Sequence, residues 1–177
     1  MATRFEEVLR TRGKHAVGNI NSWEIETFAN GAICTENIDN FTLVEVSYNE
    51  EGEAVCSSLK DATKRGLLIC SPETRHFEFE EMCDFFNGKD EKARLSYLTE
   101  GKRFQTSAYS KNAGVEAVKA GMVAHFDPAT KKFIISKADS AHEAYATAGN
   151  QFVVYHEEND MEYSIDDQTL VTLLAVK

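Results

Sequence analysis

Period-two patterning is the feature that most constrains this chain. Short runs rich in Val, Ile, Phe, Tyr and Thr alternate apolar with polar residues and are cut at close intervals by Gly, Asn and Asp. Alternation at period two places one side-chain face against a core and the other toward water, which is strand geometry. Ser22–Thr27, Ala32–Cys34, Phe41–Tyr48, Glu53–Cys56, Ala93–Leu98, Arg103–Tyr109, Met122–Phe126, Lys132–Ser136, Phe152–Tyr155 and Thr169–Val176 read this way. Gly66-Leu-Leu-Ile-Cys70 is a continuous apolar run, as for a strand buried on both faces. Asn49-Glu-Glu-Gly52 predicts a hairpin between two of these strands. Glu100-Gly-Lys102 predicts a second, between 93–98 and 103–109. Asp127-Pro-Ala-Thr-Lys131 is a type I turn sequence, with Pro preset at its second position.

Two segments break the pattern. Thr3-Arg-Phe-Glu6 is a capping box, followed by Phe5, Val8 and Leu9 on one helical face and a stop at Gly13. So short a helix is marginal alone and needs a surface to dock on. Ser71-Pro72 opens a second helical reading, with Phe79, Met82, Cys83, Phe85 and Phe86 on its apolar side and Asn87-Gly88 as its stop. The fold expected is mainly β (α+β): a barrel or sandwich of about ten short strands. It carries one internal helix near 71–88 and the short N-terminal amphipathic helix. Residues 1–19 form a docking arm, and 20–177 a single β-rich domain.

Charge is unevenly distributed. The net −10 at neutral pH resolves into a head of +2 over residues 1–19 and a stretch, 138–176, with eight acids and no Lys or Arg. Such acidity disfavours a general nucleic-acid binder or adsorption to anionic membrane. No apolar run approaches the ~20 residues of a membrane helix. The opening Met-Ala-Thr-Arg-Phe-Glu-Glu7 lacks a secretory h-region. Head-to-tail complementarity between copies is one consequence of that polarity.

Catalytic patterns do not emerge. Cys34, Cys56, Cys70 and Cys83 are 22, 14 and 13 residues apart, which excludes C-x-x-C ligand or redox spacing. They read as reduced, buried thiols. His15, His76, His125, His142 and His156 show no metal-ligand spacing. Glu157, Glu158 and Asp160 lack the Gly and the alternating acids of a calcium loop. Phosphate-cradling Gly loops and a nucleophile elbow are missing from the sequence. Trp23, Phe104 and Tyr109 read as core aromatics. The expectation is a protein that is not an enzyme and uses neither metal nor cofactor.

Val118-Lys-Ala-Gly-Met-Val-Ala-His-Phe-Asp-Pro-Ala-Thr-Lys-Lys-Phe-Ile-Ile-Ser-Lys137 resembles a recurring segment of tailed-phage virion proteins. Gly101-Lys-Arg-Phe-Gln-Thr-Ser-Ala-Tyr109 also looks like them, and the two stretches together are 29 of the 177 residues. The resemblance implies a capsid decoration (cement) or related head accessory protein. Its partners would be the major capsid protein, copies of itself in a homo-oligomer, or both, and its place the virion, assembled in host cytoplasm. It carries over no catalytic residues. The 71–88 helix is longer than a minimal decoration barrel needs. The docking surface expected is the arm: Phe5, Val8 and Leu9 bury against a neighbour while Arg4, Arg10 and Arg12 meet acids there. At about 25 cal/mol per Å², those three apolar side chains supply roughly a few kcal/mol per copy. A tail-tube or other virion subunit, or a small-molecule-binding β-barrel or hydrolase, are the alternatives.

Overall fold

The computed structural model describes residues 26–73, 84–156 and 170–177. The N-terminal arm, most of the expected Ser22–Thr27 strand, the centre of the expected internal helix and the acidic loop after His156 lie outside them.

Fourteen strands occur among the described residues, in chain order β1 Ala32–Cys34, β2 Ile38–Asp39, β3 Leu43–Tyr48, β4 Ala54–Ser58, β5 Leu67–Ile69, β6 Phe86–Asn87, β7 Lys92–Ala93, β8 Leu95–Ser96, β9 Arg103–Thr106, β10 Tyr109–Lys111, β11 Val123–Asp127, β12 Lys132–Ser136, β13 Gln151–His156 and β14 Val171–Ala175. They build two six-stranded sheets, β7-β1-β4-β3-β5-β8 and β10-β12-β11-β13-β14-β9, and a small β2–β6 pair. The architecture is mainly β and barrel-like, as the period-two pattern requires. Each large sheet is nearly closed. β7 and β8 occupy opposite edges of the first sheet, yet only Arg94 separates them in the chain. β9 and β10 occupy opposite edges of the second and are joined by Ser107 and Ala108 alone. The strands must therefore curl until their edges meet, which protects backbone groups that an open edge would expose.

Two cores result. Ala32, Cys34, Val44, Cys56, Ile69, Ala93 and Leu95 fill the first sheet. Phe104, Phe126, Phe133, Ile135, Phe152 and Leu173 fill the second. Phe133 meets Phe104, Phe126 and Phe152 at centroid separations of 5.5, 5.2 and 5.3 Å, inclined as aromatic quadrupoles favour. Leu43, Leu59, Leu68 and Cys70 of the first half belong to this same second cluster. β3 and β5 thus send alternate residues into each core, which explains the unbroken apolar run 66–70.

The β3–β4 hairpin forms as expected, with Asn49 Oδ1 accepting from the Glu53 amide at 2.8 Å. The β11–β12 hairpin also forms, its turn held by Asp127. Other expectations are corrected. The 93–98 and 103–109 segments are not hairpin partners: β8 pairs with β5, and β9 with β14. Each segment is also broken, at Arg94 and at Ser107–Ala108, because each carries the chain from one sheet edge to the opposite one. The helix expected near 71–88 does not reach its predicted end. Phe86–Asn87 is strand, paired with Ile38–Asp39. Asn87 stops nothing; its Nδ2 donates to the Ile38 carbonyl at 3.3 Å. Residues 138–150 hold two single 3-10 turns, Ala138–Ser140 and Glu143–Tyr145.

Candidate functional site

The arm residues singled out for docking, Arg4, Phe5, Val8, Leu9, Arg10 and Arg12, lie outside the described residues. Three other clusters concentrate the chemistry that the fold brings together.

The first is an open cleft of ≈ 650 Å³ where the two halves meet. Glu36, just after β1, and Ser58–Ala62, at and after the end of β4, form one wall; the β11–β12 turn forms the other. Glu36 accepts from the Ser58 amide at 3.0 Å and pairs with Lys131 across the cleft at 3.5 Å. Partial burial pushes the Glu36 pKa up, but the Ser58 hydrogen bonds and Lys131 outweigh it, and the net direction is down. Asp127 behaves alike: burial acts upward, while the Thr130 hydroxyl at 2.7 Å and the Ala129 and Thr130 amides hold it below its usual value. A general acid or base working near neutrality needs a carboxyl raised toward that range. These carboxylates are shifted the opposite way. Their chemistry is that of braces, which close a turn and tie one sheet to the other.

A second cluster sits on the outer face of the second sheet. His125 is buried under the segment that carries His142, and the rings stack at 5.0 Å. The segment is fastened at both ends of its His142–Tyr145 stretch. His142 N donates to Ser136 Oγ at 3.3 Å, and Gln151 Nε2 donates to the Tyr145 carbonyl at 2.8 Å. His125 Nδ1 has no hydrogen-bond partner among the described residues. Burial lowers its pKa first, His142 lowers it further, and Asp127 opposes both. The sequence placed His125 at a strand end; only the fold stacks it on a residue 17 positions later.

The third is a thiol pair. Cys34, Cys56 and Cys70 are free and buried, as their apolar neighbours led one to expect. Cys34 and Cys56 face each other across the parallel β1–β4 pairing, with their sulfurs 3.7 Å apart. A spacing of 22 residues gives no hint of this contact, because parallel register is invisible until the crossover is known. Among the described residues, no group of three or more His, Cys, Asp or Glu is placed to hold a metal ion. Phe104 is core, as expected, and Tyr109 packs against it.

Among the described residues, Tyr48, Tyr97 and Tyr155 are the large exposed hydrophobics. Tyr155 lies on the outer face of β13 with the Arg103 guanidinium 5.2 Å from its ring centre.

Against this geometry stand the comparisons with known proteins. Residues 11–174 match the family described as YonC prophage protein. The SPbeta prophage-derived uncharacterized protein YonC of Bacillus subtilis (strain 168) is 46% identical over 179 residues, covering 100% of this chain and 99% of that protein. No solved structure matches the chain.

Proposed function

We propose, since this chain belongs to the YonC prophage protein family, that its phage origin goes with a structural role in the particle: a non-catalytic virion protein that decorates the capsid lattice. The observation carrying this reading is the junction cleft. There Glu36 and Asp127 are engaged by hydrogen bonds from Ser58, Ala129 and Thr130 and by the Lys131 ion pair, contacts that brace the junction of the two sheets. A curled double sheet with fused cores is a rigid body suited to presenting surfaces, and it shows Tyr155 stacked with Arg103, residue types enriched at protein interfaces. Free buried thiols fit assembly in a reducing cytoplasm.

The partners are the major capsid protein and other copies of this chain. The docking element is the N-terminal arm, where Phe5, Val8 and Leu9 bury while Arg4, Arg10 and Arg12 pair with acids. Repeated attachment on a symmetric shell multiplies a modest contact per copy.

Sedimentation of the purified chain with empty phage heads tests this. The full chain pellets with the heads in saturable amounts. A chain lacking residues 2–13 keeps its far-ultraviolet spectrum and binds at least ~10-fold more weakly, the effect of losing about 1.4 kcal/mol. A full chain that stays in the supernatant contradicts the capsid reading. Rings or tubes formed by the chain alone favour a tail subunit instead.

A further inference from the structure

The geometry points to a modification site inside the first sheet: we infer that Cys34 and Cys56 form a reversible intramolecular disulfide when the protein meets a peroxide-class oxidant, locking β1 to β4. The inference is independent of the virion reading.

Register carries the argument. Cys34 and Cys56 are direct partners in a parallel ladder, and both side chains enter the same core, with Ala32, Val44 and Ile69. Neighbouring strands lie about 4.8 Å apart, inside the Cα range that a disulfide spans. The sulfurs already touch at 3.7 Å through an S–H···S hydrogen bond. Closing the bond requires side-chain rotation and no rearrangement of strands. The seam it would lock is short: β1 meets β4 through two register pairs, Ile33–Val55 and Cys34–Cys56, whereas β3 meets β4 through five.

The reaction balances with hydrogen peroxide. The Cys56 sulfur attacks the peroxide, its S–O bond forms as O–O breaks, and one water leaves, giving a sulfenic acid. Cys34 then attacks that sulfur. The S–S bond forms, the S–O bond breaks, and a second water carries off the Cys34 proton. Two thiols lose two electrons in all, and the peroxide gains them. The order follows from the shared hydrogen bond, which holds the Cys34 thiol up and brings Cys56 down. Cys70 is an internal comparison. It lies in the other core cluster, and burial pushes its thiol up to about 11.

The test uses the full chain, treated with hydrogen peroxide or kept under reductant, then denatured in alkylating reagent and mapped by peptide mass. The expected result is a Cys34–Cys56 linked peptide, about 2 Da lighter than its two free-thiol peptides combined, with Cys70 alkylated. The melting midpoint should rise by roughly 5 °C and return with dithiothreitol. Cys56→Ser abolishes both changes, and Cys70→Ser keeps both. Because Cys56→Ser puts a hydroxyl in a core, Cys34→Ala provides a second loss-of-link variant. Full alkylation of Cys34 and Cys56 after oxidation overturns the inference. So does a link from either one to Cys70 or Cys83, a sulfinic acid in place of the link, or a midpoint that does not rise.

Discussion

His125 is the residue whose surroundings make the sharpest prediction. Its ordinary pKa is 6.5, and burial under the His142 segment lowers it in the folded state. Between those two values the unfolded chain binds a proton that the folded chain refuses. Folding therefore gains stability as pH rises through that window and loses it as pH falls below 6.5. Denaturant midpoints should drop between pH 7.5 and 5, before Glu36 and Asp127, both lowered from already acidic values, begin to contribute. His125→Gln should flatten that slope, and an unchanged slope contradicts the assignment. Asn40 makes a different demand. Its buried side chain donates to the Ser71 carbonyl at 2.9 Å and accepts from the Ser71 amide at 3.0 Å. It thereby holds the turn in which Phe41 takes a φ of 54°. Asn40→Ala should cost about 1–3 kcal/mol in urea unfolding, since it orphans buried partners. Little of this was legible in the sequence. An Asn before a strand and a His at a turn look alike whether solvated or buried, because their partners sit 31 and 17 positions away. Burial of Cys34, Cys56 and Cys70 was legible, since each follows an apolar residue; the pairing of Cys34 with Cys56 was not.

At the scale of elements, local turn chemistry identified the β3–β4 and β11–β12 hairpins, whose stabilising contacts lie within a few residues. Asp127 accepts from two turn amides and one hydroxyl, so Asp127→Ala should cost ~1 kcal/mol, measurable by urea unfolding. Of the two-residue strands, β8 and the Ala93 end of β7 lie inside the expected Ala93–Leu98 strand, whereas β2 and β6 were beyond reach. Runs that short carry no period, and their pairing is set by the closing of a sheet rather than by their own composition. The same closure overrode the Glu100-Gly-Lys102 hairpin signal, whose flanking strands each found a longer-range partner. Gly149 marks a contact between elements. A Cβ there would lie 2.2 Å from the Lys64 backbone, which cannot move aside like a side-chain tip. The Gly149 amide donates to the Ala62 carbonyl at 2.8 Å, and Asn150 Oδ1 accepts from the Gly66 amide at 2.7 Å. Gly149→Ala should therefore destabilise by about 1–3 kcal/mol or more, read as a lowered melting midpoint.

Among the described residues are two curled sheets and the small β2–β6 pair; the two sheets are joined through one shared cluster, with Lys131–Glu36 and the Gly149–Asn150 contacts as outer ties. Leu43 and Leu68 contribute to that joint core from strands that also line the first. Neither half can lose its packing without exposing the other, so heating should give a single transition with matching calorimetric and van't Hoff enthalpies. Mainly β character was legible from periodicity alone. Two nearly closed sheets were not, because edge-to-edge closure depends on which strands pair across more than 60 residues, as β9 with β14 does. The acidity of the chain, −10 overall, concentrates near the C-terminus while the head is basic. Such attraction is screened within ~8 Å at physiological salt, so it acts only where surfaces touch. Protein mass spectrometry of particles purified by density gradient after prophage induction tests the structural reading most directly. This chain should lie in the particle band at a copy number scaling with the capsid lattice and should resist washing at moderate salt. A chain abundant in the lysate yet missing from purified particles would contradict it.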